Sequence, residues 1–189
     1  MSSKPLQSLR LHLKDEFATE ALGKALAQAT GAAALPGAKA DQASTHSGAV
    51  GPDCGGVIHL QGTLGAGKTA LCRAFLRACG VTGRIKSPSY ALLETYKVSN
   101  LYLYHLDFYR FSDPREWLDA GFRDLMRDDS LVLIEWPEKA EGLLPVPDML
   151  IALEYSDSAR DASIAAFTDR GQTWMNAIVP PENLPCHAP

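Results

Sequence analysis

The chain has 189 residues, of which 46% are hydrophobic and 21% charged, enough apolar material to close a core without disulfides or metal staples and suited to one slightly enlarged domain. Eighteen basic side chains against 22 acidic ones give a net charge of −4, which argues against a protein that grips nucleic acid by bulk electrostatics. The four cysteines, Cys54, Cys72, Cys79 and Cys186, form no C-x-x-C pair. Zinc and dithiol sites are therefore not indicated, and a reducing cytoplasm is the expected compartment. The N-terminus lacks the apolar core of a signal peptide, and no apolar run approaches a membrane span.

In chain order, residues 8–13 alternate polar and apolar, which predicts a half-buried strand. Asp15 and Glu16 then open a helix, with acids where the helix dipole favours them and with Phe17, Ala21, Leu22, Ala25, Leu26 and Ala29 as its apolar face. Residues 31–56 are rich in glycine, proline and small side chains and show no periodicity, so they read as a flexible insertion rather than a lid. Val57 to Gln61 predicts a short strand. Lys68 to Cys79 predicts a helix with Leu71, Cys72, Phe75, Leu76 and Cys79 inward and Gly80 as its stop. Tyr90 to Val98 and Leu101 to Leu106 predict strands joined by a turn at Ser99-Asn100. Asp113-Pro114 starts a short helix over Arg115 to Asp119, and Gly121 to Asp128 is a second helical piece. The run Leu131 to Ile134 predicts a strand buried on both faces. Met149 to Tyr155 and Ala162 to Phe167 predict an antiparallel pair, followed from Pro180 by a proline-rich, frayed tail. Strands mixed with helices in this order imply an α/β sandwich.

The segment GTLGAGKT, Gly62 to Thr69, is a complete P-loop pattern between a predicted strand and a predicted helix. Glycines let successive backbone N–H groups turn towards phosphate oxygens, and the helix N-terminus adds partial positive charge. Gly65, Ala66, Gly67, Lys68, Thr69 and Ala70 are thus expected to contact nucleotide. Lys68 would reach the β and γ phosphates, and Thr69 would offer its hydroxyl to Mg²⁺. The alternative, an incidental glycine-rich turn, does not explain the strand and helix that flank it. A P-loop enzyme also needs an acid at a strand end. Asp107 and Glu135 both stand directly after apolar runs, and each could equally be a surface acid at a strand terminus. Trp136 follows Glu135 and could simply pack at the sheet rim. Lys86 to Tyr90 could be a loop sensing the γ-phosphate or a polar turn. Tyr109-Arg110 could offer an anion-binding guanidinium or a surface ion pair. His105 is assigned no catalytic role.

Taken together, GTLGAGKTALCR, IKSPSYALLETY, YHLDFYRFSDPREWLDAGFRD and LVLIEWPEKAEGLLP resemble the TsaE family, also called YjeE. The resemblance extends from about Leu9 to about Phe167, interrupted by the 31–56 insertion. It implies a three-layer α/β/α P-loop NTPase sandwich with a mixed, mainly parallel central sheet and antiparallel edge strands. It also implies a cytoplasmic Mg²⁺-dependent ATPase that serves the threonylcarbamoyladenosine modification of tRNA with the TsaB–TsaD pair. On this resemblance tRNA is met only through that complex, the group transfer itself occurs in TsaB–TsaD, and neither membrane nor DNA is a partner. Lys68 would contact phosphate, and Thr69 and Glu135 would hold Mg²⁺. Asp107 would support the metal or activate water, with Trp136 in the same region. The segment from Glu16 to Thr19, including Phe17, is similar to the family segment near the adenine. Thr63 stands where the family usually has aspartate, Ala70 where a second threonine is common, and Ser89 where threonine is common.

Three other readings are open on the sequence: a small-molecule kinase, a GTPase, and a binding module that uses ATP only to set its shape. Residues 31–56 contain no arginine, against a kinase lid, and no [NT]-K-x-D segment is present for guanine. The expected organisation is one ATPase domain over residues 1–179 with a tail at 180–189.

Overall fold

The computed structural model describes residues 4–33 and 55–178. The expected insertion, apart from its ends, and the frayed tail from Pro180 lie outside the described residues.

Strand β1, Gln7–Leu13, leads into helix α1, Glu16–Ala29. Asp15 caps α1 by accepting a hydrogen bond from the Ala18 N–H at 2.8 Å, which satisfies one of the donors a helix start leaves free. The face α1 buries is Ala18, Thr19, Leu22, Gly23, Leu26 and Ala27. Leu22 and Leu26 are inward as expected, whereas Phe17 is 80% exposed. The reason is the contact with α2, Lys68–Ala78: a Cβ on Gly23 would lie 2.7 Å from the Ala74 Cβ, so the helix turns its smallest residues to its neighbour and Phe17 outward.

Strand β2, Gly56–Gln61, runs into the P-loop and α2. The hairpin of β3, Leu93–Val98, and β4, Leu101–Asp107, turns at Ser99, whose φ is 55°. The first of these strands starts later than expected because Leu92 adopts φ 65° and its N–H donates back to the Pro88 carbonyl at 2.6 Å. Helix α3, Glu116–Asp119, and a 3₁₀ turn at Phe122–Leu125 precede β5, Ser130–Glu135. A second 3₁₀ turn, Pro137–Ala140, leads to the antiparallel pair β6, Met149–Ser156, and β7, Ala159–Ala166. Helix α4, Asp169–Ala177, closes the described chain and was not expected from the sequence. Its Gly171, Thr173 and Asn176 are weak helix formers. Gly171 is required because a side chain there would run into the Asp148 carbonyl.

The seven strands form one sheet in the order β1-β7-β6-β2-β5-β4-β3. The central four, β6-β2-β5-β4, are parallel, and the outer strands pair antiparallel. This is the expected α/β architecture, with its two outer layers unequal. One face carries α1, α2 and α4 over Leu60, Leu103, Leu131, Leu133, Ile151 and Ile164. The other packs Phe108 and Phe111, from the turn after β4, and Trp117 and Phe122, from the short helical pieces, on Val57, Leu106, Val132 and Ile134. Alternate residues of β5 thus enter opposite cores, as the period of 2 requires of a strand covered on both sides.

Candidate functional site

The parallel strands end at one rim, and the P-loop leaves the rim from the middle strand. Gly62 has φ 135°, and a side chain there would strike the Leu153 carbonyl; Gly67, immediately before α2, has φ 111°. These are backbone positions that side chains rarely tolerate, and they let the loop fold over the start of α2. Lys68 is buried. Its Nζ donates to the Gly62 carbonyl at 2.6 Å and the Thr63 carbonyl at 2.9 Å, and lies 3.9 Å from the centre of the Trp136 ring. Burial lowers the Lys68 pKa, while Glu135, Glu138 and Asp107 pull it back up.

The strand period explains which side chains face Lys68. His105 and Asp107 are two apart on β4, on the side of Leu103 that packs towards α2; Glu135 shares that side of β5 with Leu133. From α2 above them come Thr69 and, three residues on, Cys72. The Thr69 Oγ donates to Glu135 Oε2 at 3.0 Å. His105 Nε2 meets Glu135 Oε1 at 2.8 Å, and the Cys72 sulfur lies within 4.8 Å of this carboxylate. Asp107 is held by the Ser87 hydroxyl at 2.5 Å and the Tyr109 N–H at 2.9 Å. The hydroxyl-rich segment Lys86 to Tyr90 is therefore brought to a strand-end acid. Arg110 lies over the exposed Tyr90 ring at 3.9 Å.

Trp136 adopts left-handed backbone angles, φ 59° and ψ 48°. These are unfavourable for an aromatic residue, and they carry the chain from β5 into the turn at Pro137 with the indole over Lys68. Its ring also lies 5.1 Å from that of Tyr109.

Beside the loop is a cavity of about 350 Å³ bordered by Glu16 and Thr19 of α1, Gly65, Gly67, Ala70 and Arg160. Glu16 and Thr19 border it, as the α1 segment suggested; Phe17 does not, because it points outward from the helix. Arg160 gave no signal in the sequence. It reaches the loop from the β6–β7 hairpin, where its Nε donates to the Ala66 carbonyl at 3.2 Å and its guanidinium lies 4.2 Å from the Tyr155 ring. The Tyr155 hydroxyl in turn donates to the Leu64 carbonyl at 3.3 Å. The P-loop is thus braced by a hairpin about ninety residues further along the chain.

The donor set tests what ions the site suits. Thr69 and Glu135 offer hard oxygen atoms, which fit Mg²⁺. The sulfur, nitrogen and oxygen atoms of Cys72, His105 and Glu135 lie within 4.8 Å of one another. Burial and the neighbouring carboxylates push the Cys72 thiol well above its ordinary pKa, which makes it a poor thiolate ligand. The cluster therefore reads as support for a carboxylate, not as a soft-metal centre.

A parallel sheet with a glycine-lined anion cradle at its central strand end, a lysine and threonine opening the next helix, and an acid on the neighbouring strand define a P-loop NTPase. The family model described as threonylcarbamoyl adenosine biosynthesis protein TsaE matches residues 13–163. The chain is 43% identical over 122 residues to the tRNA threonylcarbamoyladenosine biosynthesis protein TsaE of Haemophilus influenzae, covering 65% of this chain and 77% of that protein. To the Bacillus subtilis protein of the same name it is 30% identical over 131 residues, covering 69% and 82%. The alignment to the Rickettsia felis protein spans 59% of that relative's length at 42% identity. Among solved structures, the Bacillus YdiB crystal structure superposes with a TM-score of 0.66 at 24% identity, over 94% of this chain and 97% of that one, a likeness of fold. The chain belongs to the TsaE family, which serves threonylcarbamoyladenosine biosynthesis in tRNA. Among the described residues no helix is long and apolar enough to cross a membrane.

Proposed function

We propose that this protein is a Mg²⁺-dependent ATPase that works with the TsaB–TsaD complex and meets tRNA only through it. The observation that carries the reading is the Thr69–Glu135 hydrogen bond of 3.0 Å directly beneath the P-loop. It joins the helix that would hold the phosphates to the strand that would hold the metal. Lys68 exchanges its carbonyl partners at Gly62 and Thr63 for phosphate oxygens, and the backbone N–H groups of Gly65 to Ala70 complete the cradle. Thr69 and Glu135 would hold Mg²⁺, which when bound would neutralise charge developing on the phosphates. Asp107, fixed by Ser87 and the Tyr109 N–H, would support the metal or orient the attacking water. Trp136 covers Lys68 and limits the approach of bulk water. Pairing of β1 with β7, near opposite ends of the described chain, supports reading residues 1–179 as one domain.

The test is phosphate release from ATP by purified protein with and without the TsaB–TsaD pair. Slow release alone and faster release with the pair is expected. No release in either case, or release that ignores the pair together with no binding to it, would refute the reading.

A further inference from the structure

Glu135 is 2% exposed and His105 0% exposed. A carboxylate this far from water must have its oxygens satisfied by protein groups or be lost as a charged ligand. Thr69 takes only Oε2. The other oxygen is met by His105 Nε2 at 2.8 Å. A carboxylate can only accept, so the shared proton sits on Nε2. Nδ1 has no partner among the described residues, so Nε2 is the one ring nitrogen seen engaged. Packed on all sides at 0% exposure, the ring is held in the one orientation that reaches Glu135.

We infer that His105 is a positioning residue for the metal site: it holds Glu135 so that Oε2 is presented to Thr69 and the cation. The geometry is specific to the strand arrangement. His105 lies two residues before Asp107 on the same side of β4, in register with Leu133, so its ring reaches diagonally across to the last residue of β5. From there it touches neither the cavity beside the loop nor any phosphate-binding atom, and it acts on Mg²⁺ only through Glu135. Partners that orient a metal ligand in this way commonly contribute about ten- to a hundredfold to metal affinity.

The inference rests on Thr69 and Glu135 being the metal site, and the test separates the two. Mg²⁺ affinity is measured by calorimetry on the ADP-bound protein, and ADP affinity is measured separately with EDTA. His105→Ala should weaken Mg²⁺ about ten- to a hundredfold and leave EDTA-measured ADP affinity unchanged. His105→Gln, whose amide nitrogen sits near the place of Nε2, should recover most of the loss. His105→Asn, whose nitrogen sits near Nδ1 and cannot reach Glu135, should not recover it. If His105→Ala fails to fold, the Gln and Asn variants carry the same comparison. Equal Mg²⁺ affinity in wild type and His105→Ala, or in the Gln and Asn variants, overturns the positioning role alone. So does a parallel loss of metal-free ADP binding in every variant. A wild-type protein that binds ADP without any response to Mg²⁺ overturns this role and the metal-site reading together.

Discussion

Two histidine–acid pairs of almost the same length sit in the two halves of the sheet. His105 and Glu135 meet at 2.8 Å in the parallel half, both fully buried; His12 and Asp161 meet at 2.7 Å in the antiparallel half, at 39% and 55% side-chain exposure. Distance alone does not distinguish them; the layers around them do. Every residue of β5 is buried, because helices cover one side and the short helical pieces the other. A polar group placed there has to find a protein partner, and the partners form the site. On β7, and around Leu11 and Leu13 of β1, buried residues alternate with accessible ones, so a polar residue on the uncovered side is served by water. The parallel half therefore concentrates chemistry at its strand ends, and the antiparallel half supplies frame and the hairpin that braces the P-loop.

That contrast can be broken by substitutions on either side of it. The largest effect is expected at Glu135: Glu135→Ala should lower phosphate release by about a thousandfold, the scale of losing a preorganised charge-stabilising group. Steady-state phosphate assays measure this, and a loss below about tenfold would place the metal elsewhere. In the frame, Ile164→Ala should cost about 3 kcal/mol of unfolding free energy by denaturant titration, as for other buried aliphatic truncations. ATP affinity well below the midpoint should be retained, and a matching loss of affinity would mean the halves are not separable in this way.

A third histidine sharpens the comparison. His59 on β2 is buried, and its Nε2 has no partner among the described residues; burial pushes its pKa down to about 4. The folded pKa lies below the unfolded one, so as pH falls the unfolded chain takes up the proton first. Stability from this group is complete above about pH 6.5, falls through the window down to about pH 4, and is lower by about 2 kcal/mol at pH 5. Stability curves at pH 7 and pH 5 should therefore diverge more for wild type than for His59→Leu; equal divergence would show that the ring is solvated. The smallest effect belongs to the exposed pair. A double-mutant cycle on His12 and Asp161 should return a coupling of less than about 1 kcal/mol; a larger value would show that burial is not what separates the pairs.

Much of the site is local in the chain and was readable there. The P-loop is a contiguous pattern, and Asp107 and Glu135 announce themselves by ending apolar runs at strand ends. The part that could not be read is what crosses between strands. The two-residue spacing of His105 and Asp107 places them on one side of β4, but nothing in that spacing says that Glu135, thirty positions later, lies within reach. Arg160 is the same case at greater separation. Phe17 misled for a different reason: helix periodicity gives a stripe, and whether Phe17 or Ala18 is at its centre depends on the close approach of α1 to α2 at Gly23. Helix α4 was hidden by its own weak formers, which are tolerated because Thr168 caps it and Trp174 and Met175 pack on the sheet.

The central claim is that Lys68 and the glycine loop hold a triphosphate. Calorimetric titration of ATP into wild type and Lys68→Ala, with Mg²⁺ present, tests it most directly. Loss of a buried charged donor to phosphate should weaken binding by about 1.5–3 kcal/mol, roughly ten- to a hundredfold. Equal affinity in the two proteins would contradict the account.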